Sequence, residues 1–257
     1  LDTQTLVVGC AGWSLGREYW PDFTAQGTHL QRYAARLNGV EINSSFYRPH
    51  RRQTYERWAS AVPDGFRFSV KMPKQITHMQ RLKQCEPLLD EFIGQCSGLT
   101  DKLGCVLVQL PPSLAFDERL AEGFFDEMRQ RFNGHIAVEP RHESWAHAAP
   151  LLQQLKIAQV ATDPSRISTD SRPAGWPGFR YWRLHGSPRV YYSAYGDEPL
   201  QNIAQQLMAA HSEGAQVWCI FDNTAAGAAL GNALRLQVLL QVNERNTDVG
   251  PALAGNT

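Results

Sequence analysis

CVLVQL at residues 105–110 and IAVEP at residues 136–140 flank a helix-like stretch, and each run carries a polar side chain where a loop begins. The same unit recurs along the chain. In order the runs are LVVGC (6–10), GVEIN (39–43), FRFSVK (66–71), CVLVQL, IAVEP, AQVAT (158–162), YWRLH (181–185) and VWCIF (217–221). Short apolar runs bounded by turn signals read as buried strands, and the helix-length gaps between most of them imply parallel pairing through crossovers. Eight such units in about 250 residues predict an α/β fold: a (β/α)8 TIM barrel built as a single domain. Barrels of this kind put their chemistry at the carboxyl ends of the strands, so reading the fold also locates the site.

Working outward from the strands, helix signals fill most gaps. Thr28 is placed to N-cap a helix with the stripe Leu30, Tyr33, Ala34 and Leu37, stopped by Gly39. Thr54 is read as the cap of the next, with Tyr55, Trp58 and Val62 inward and Pro63 at its end. Further stripes are Leu88, Leu89, Phe92, Ile93 and Cys96; Leu120, Phe124 and Met128; Leu151, Leu152 and Leu155; Leu200, Ile203, Ala204 and Leu207; and Leu230, Ala233, Leu234 and Val238. The sixth helix is missing. PSRISTDSRPAGWPGF (164–179) is rich in Pro, Gly and Ser and has no helical period. A long Pro/Gly/Ser-rich loop is expected there, on the catalytic face, in the manner of a lid or binding loop. The barrel domain is assigned to residues 1–245, and NTDVGPALAGNT (246–257) reads as a flexible C-terminal tail.

The composition excludes several classes. The chain has 257 residues, 43% of them hydrophobic, with 25 basic residues balancing 25 acidic ones. Zero net charge argues against wholesale coating of nucleic acid or membrane, while leaving room for a local basic patch. No apolar run approaches the roughly 20 residues of a membrane helix, and with the first strand so near the start no signal peptide is expected. Cys10, Cys85, Cys96, Cys105 and Cys219 form no CxxC pair. Scattered thiols in apolar surroundings predict reduced core residues and a cytoplasmic location.

Side chains alternate across a strand, so parity assigns faces. With Ile42 outward, Glu41 and Asn43 point into the barrel; with Phe68 and Val70 outward, Ser69 and Lys71 do. The same rule turns Gln109, Glu139, Arg183, His185 and Asp222 inward. Barrel interiors are normally filled with branched apolar side chains. Burying this many ionisable groups costs several kcal/mol unless they are paired, so the set marks either a structural ion network or a site. Simpler roles exist for each: Asp222 and Asn223 open the eighth helix and fit N-capping, and Lys71 fits a counter-ion. DNTAAG (222–227) leads into a helix, where barrels often bind phosphate. The loops after the second and third strands are basic, through Arg48, His50, Arg51, Arg52, His78, Arg81 and Lys83, and suit a solvated rim or a polyanion contact. Trp13, Trp20, Tyr47, Trp145, Trp176, Tyr191, Tyr192 and Tyr195 all fall in loops, for packing or for stacking on a ligand.

VGCAGWSLGREYWPDF (8–23), VEINSSFYR (40–48), FSVKMPKQITHMQRL (68–82), LVQLPP (107–112), VEPRHESW (138–145), LHGS (184–187) and FDN (221–223) together resemble the YecE-like family, the TIM-barrel family of domain of unknown function number seventy-two. The resemblance implies the barrel and a site built from Glu41, Asn43, Tyr47, Lys71, Gln109, Glu139, Arg141, His142, Arg183, His185, Asp222 and Asn223. It supplies no reaction.

The expectation is an enzyme acting on a phosphorylated or other anionic substrate by hydrolase, lyase or isomerase chemistry. Glu41, Glu139, His185 and Asp222 are its catalytic groups, and Asn43, Tyr47, Lys71, Gln109, Arg141, His142, Arg183 and Asn223 bind the substrate. No cofactor and no metal are expected. The alternative is a divalent ion on Glu41, Glu139, His185 and Asp222 in a phosphodiesterase-like or sugar-acting barrel. A different class, a non-catalytic nucleic-acid or polyanion-binding protein, would use the basic loops.

Overall fold

The computed structural model describes residues 6–248. Its strands are β1 (Leu6–Ala11), β2 (Gly39–Ile42), β3 (Arg67–Lys71), β4 (Leu103–Gln109), β5 (His135–Glu139), β6 (Ile157–Gln159), β7 (Ala161–Asp163), β8 (Ala174–Gly175), β9 (Phe179–Leu184) and β10 (Gln216–Phe221). The helices are α1 (His29–Ala34), α2 (Arg52–Ser60), α3 (Glu86–Cys96), α4 (Glu118–Arg131), α5 (Ala149–Gln154), α6 (Asp197–Ser212) and α7 (Ala228–Asp248). The strands form one sheet in the order β7-β9-β10-β1-β2-β3-β4-β5-β6-β8, parallel except for the short β8.

What closes the sheet is a change of partner within a single expected strand. Ile157–Gln159 pairs with β5, Val160 donates to Val138 O at 2.9 Å, and Ala161–Asp163 then pairs with β9. The two ends of the sheet therefore meet on one segment, residues 157–163. All eight expected runs are strands of this barrel.

The barrel interior has two levels. The lower one is apolar: Val7, Cys105, Leu107, Ala137, Ala158, Val160, Phe179, Tyr181, Trp218 and Ile220 pack together. His135 stacks on Phe179 at 4.2 Å, and Trp176, just after β8, packs against this floor. The outward-facing Val8, Val40, Phe68, Val70, Val106, Val138, Leu184 and Phe221 belong to the second core, under the helices. Each fully buried apolar side chain of that layer contributes roughly 1.5–3 kcal/mol by leaving water. Tyr33 ties α1 to the sheet: its hydroxyl donates to Gly39 O and accepts from Cys10 N.

The helix reading holds in outline, with local corrections. Thr28 caps α1 in a reciprocal capping box with Gln31. Thr54 does not cap α2, which starts two residues earlier at Arg52. There Arg52 reaches Glu56, Gly94 O and Ser97 Oγ, and this tertiary anchoring replaces the cap. Val238 is exposed, 46% of its surface facing water, rather than part of the α7 stripe. Residues 164–178 contain no helix, as expected, but they do not form a free lid. The buried Asp170 carboxylate gathers Thr162 Oγ1 (2.6 Å), Arg166 N (2.8 Å), Ile167 N (3.2 Å) and Ser165 Oγ. The segment then runs back through β8 to seat Trp176 at the barrel floor, so it serves as the crossover itself. Helix α7 includes 246–248 of the expected tail; the rest of that tail lies outside the described residues.

Among the described residues no helix is long and apolar enough to cross a membrane. All five cysteines are free and buried.

Candidate active site

Above the apolar floor, alternation along six strands lifts ionisable groups into one cluster. Its lowest members are Ser69 on β3 and Tyr181 on β9. The Tyr181 hydroxyl donates to Glu41 Oε2 at 2.7 Å and lies 3.0 Å from Ser69 Oγ. Glu41, at the end of β2, is completely buried.

Arg183 is the centre. Its Nε and Nη2 hold Glu41 in a bidentate pair at 3.0 and 2.7 Å. Nη1 donates to Glu139 Oε2 at 2.5 Å and to Gln109 Oε1 at 3.4 Å, and Nη2 also reaches Asp222 Oδ2 at 3.0 Å. A guanidinium has five N–H donors, and here all five face protein acceptors. Arg183 is therefore spent inside the molecule. It organises three carboxylates, and the substrate-binding role expected from sequence would need one of these bonds to open.

Above it lies a second tier. Arg141, two residues past β5, donates to Glu139 Oε1 through Nε (3.1 Å) and Nη2 (2.9 Å) and to Gln109 Oε1 (3.1 Å). His185 follows β9 and sits between two carboxylates: Nδ1 is 2.9 Å from Asp222 Oδ2 and Nε2 is 3.4 Å from Glu139 Oε1. Nε2 lacks a well-aligned hydrogen bond. Tyr191 packs edge-on against the imidazole at 5.6 Å, lies in hydrogen-bond reach of Arg141, and holds a left-handed backbone with φ 69°. Lys71 ends β3 with its Nζ 4.3 Å from the Phe46 ring centroid and, among the described residues, no carboxylate within ion-pair distance.

These neighbours fix the charge states. Burial by itself would raise the Glu139 carboxyl, but Arg183, His185 and Arg141 outweigh it and hold it well below the usual range. Asp222 is likewise depressed against burial, by Arg183, His185 and Lys71. Burial would lower His185, yet Glu139 and Asp222 raise it, favouring imidazolium. Lys71 moves the other way: burial, then Arg183, push its ammonium down to about 8, against the pull of Glu41, Glu139 and Asp222. With His185 protonated, Lys71, Arg141, Arg183 and His185 outnumber Glu41, Glu139 and Asp222 by one charge.

Several expected site residues lie elsewhere. Asn223 is fully buried and fastens a loop, its amide donating to Ser193 O and Asn232 Oδ1 at 2.9 Å each. His142 accepts from Ser144 N through Nδ1 (3.2 Å) and caps the turn at Glu143–His147. Tyr47 is 71% exposed and packs on Phe46, facing a groove with Met79 and Phe92. Asn43 lines a separate cavity with Trp13 and His29, its Oδ1 unpartnered. Glu41 does belong to the cluster, fully buried and with both of its oxygens accepting hydrogen bonds from Tyr181 and Arg183. Of the loop aromatics, Trp145 and Tyr195 are packing residues: Trp145 Nε1 bonds Leu114 O, and the Tyr195 hydroxyl bridges Gly186 N and Asp163 O.

Sequence reasoning missed Tyr181, Phe46 and the placing of Tyr191. Tyr181 was readable, since it lies two residues before Arg183 on the same face. Nothing in the sequence puts Phe46 under Lys71.

Among the described residues no group of three or more His, Cys, Asp or Glu side chains is arranged to hold a metal ion. The physical reason is that the Arg183 guanidinium occupies the point where Glu41, Glu139 and Asp222 converge. The same guanidinium holds Glu41 and Glu139, both fully buried, whereas a glycosidase pair works with carboxyls open to the sugar. The basic rim is partly self-satisfied, with Arg52 on Glu56 and Ser97 and Arg81 on Ser113.

A family profile described as "Protein of unknown function DUF72" matches residues 7–255. Over 170 residues the chain is 31% identical to UPF0759 protein YecE of Escherichia coli K12, a match covering 65% of this chain and 60% of that relative's length. It is 24% identical to UPF0759 protein YunF of Bacillus subtilis 168, over 92% of this chain and 95% of the relative. Among solved structures, a DUF72 family protein from Enterococcus faecalis V583 superposes with a TM-score of 0.78 at 22% identity, covering 92% of this chain and 96% of its own. One from Thermotoga maritima MSB8 gives a TM-score of 0.72 at 23% identity, covering 92% and 100%. What these structures share with the chain is the barrel.

Proposed function

The chain belongs to the DUF72 family of proteins of unknown function, and on that footing we propose that it is an enzyme acting on a small anionic substrate, phosphorylated or carboxylate, by proton-transfer chemistry at the carboxyl-terminal mouth of the barrel. One observation carries the reading. Lys71 is a buried cation, 8% exposed, with no counter-ion among the described residues, in a cluster whose other charges are matched. An anion entering the mouth supplies the missing partner, where low dielectric makes the attraction strong.

The roles follow from exposure and bonding. Arg141 and Lys71 attract the anion. Asp222, whose Oδ1 is free of the bonds that engage Oδ2, is the accessible carboxylate base. The His185 imidazolium, aimed by Asp222 and Glu139, is the acid. Glu139 holds Arg141 and His185 in place, and Arg183 holds Glu139. Reactions that move a proton within a small acid, by lyase, isomerase or hydrolase chemistry, suit this set.

The test is calorimetric titration of the wild-type protein with inorganic phosphate and a panel of small phosphate and carboxylate compounds. Binding is expected, weakened about tenfold or more in R141Q, since a charged hydrogen bond contributes ~1.5–3 kcal/mol. Its salt dependence should be slight. Steep salt dependence, with tighter binding of single-stranded nucleic acid than of any small anion, would replace this reading with polyanion binding.

A further inference from the structure

We infer that Lys71 is a nucleophile that forms an imine with the substrate's carbonyl group, so that the substrate class is a small oxo acid or a phosphorylated ketone or aldehyde. The inference rests on the anionic-substrate reading above and narrows it. Lysines that serve only as counter-ions sit on carboxylates. In this protein the three nearby carboxylates are turned toward Arg183, Arg141 and His185, and Lys71 Nζ is left over the Phe46 ring at 4.3 Å. An aromatic face tolerates the ammonium but does not consume the nitrogen lone pair once a proton leaves. The surroundings favour that loss. Burial and Arg183 lower the ammonium to about 8, while Glu41, Glu139 and Asp222 oppose them, and His78 on the neighbouring turn also senses the charge. A desolvated lysine beside another cation is a recognised way to activate the amine.

The step balances without any outside reagent. Lys71 begins as ammonium and passes one proton, by way of a solvent water bridging the gap, to Asp222. The free amine adds to the carbonyl carbon; the C–N bond forms and the C=O π pair goes to oxygen. Protons relayed through Asp222 convert that oxygen to water, which departs as the C=N bond forms. Of the three ammonium hydrogens, two leave in the water and one stays on the iminium, so the charge is unchanged. Arg141 holds the substrate's anionic group during the step. The iminium then draws electrons from the adjacent carbon, which favours the lyase and isomerase options over hydrolysis.

Reductive trapping tests the inference. The wild-type protein is incubated with pyruvate, and separately with dihydroxyacetone phosphate, and then with cyanoborohydride. Peptide mapping follows across the chain's five lysines, Lys71, Lys74, Lys83, Lys102 and Lys156. One reduced adduct on Lys71 is expected, about tenfold over the exposed Lys74 and Lys83, and absent in K71R. Its yield should rise as the pH passes the Lys71 midpoint. Labelling that is no greater at Lys71 than at Lys74 and Lys83, or that does not change with pH, overturns the inference. Phosphate titration of the same preparation separates the two readings: phosphate binding with no Lys71 adduct refutes the imine alone, whereas neither binding nor adduct refutes both.

Discussion

At the scale of single residues, Arg183 decides most of what can be measured. Removing its guanidinium in R183M leaves Glu41, Glu139 and Asp222 buried without a shared partner, a loss of about 3–5 kcal/mol. Urea unfolding should show it, and the deficit should shrink in acid, where the stranded carboxyls take up protons. The wild type should respond to pH from both sides. Glu139 and Asp222 have depressed pKa values, so their stabilisation is present above the ordinary carboxyl range of about 4 and lost as pH falls through the folded values. His185 is raised, so its contribution is complete below about 6.5 and lost as pH rises through its folded value. Lys71 is depressed, and its penalty, full below about 8, is relieved toward the unfolded value. Unfolding free energy against pH should therefore fall on the acid side, and the fall above about 6.5 attributed to His185 should disappear in H185Q.

At the scale of elements, hydrogen-bonded anchors explain what periodicity could not. Asp170 replaces a helix by holding residues 162–170 on one carboxylate; D170A should cost about 3 kcal/mol, because bonds to a charged group contribute ~1.5–3 kcal/mol each and do not add fully. Amide exchange should quicken at Arg166 and Ile167 before the helices respond. Thr28→Ala removes half of a capping box and should cost about 1 kcal/mol, read from thermal melting. The runs from LVVGC to VWCIF were legible as strands because burial on both faces leaves near-continuous apolar sequence. The start of α2 was not, because Arg52 is fixed by groups on α3 and the turn after it, far away in sequence. The crossover at 164–178 was legible as irregular but not in its path, since the return to the barrel floor depends on where Trp176 finds apolar surface.

At the scale of the molecule, the part of the site on strands was readable and the part on loops was not. Alternation placed Glu41, Lys71, Gln109, Glu139, Arg183, His185 and Asp222 in one space, because a strand dictates side-chain direction. It said nothing dependable about Tyr47, His142 and Asn223, which follow turns where direction is reset, and it overestimated Asn43, whose backbone has already left the strand (φ −94°, ψ −20°). The segment 157–163 changes partner at Val160, so only a few residues join β5 to one side and β9 to the other. Glu139 caps β5 and Arg183 belongs to β9, and their 2.5 Å ion pair spans this seam from inside. The charged cluster is thus also a clasp. Substitutions meant to silence the chemistry at either residue should let the ring breathe there, visible as faster amide exchange in 157–163 while the opposite wall, β1 with β2, stays protected.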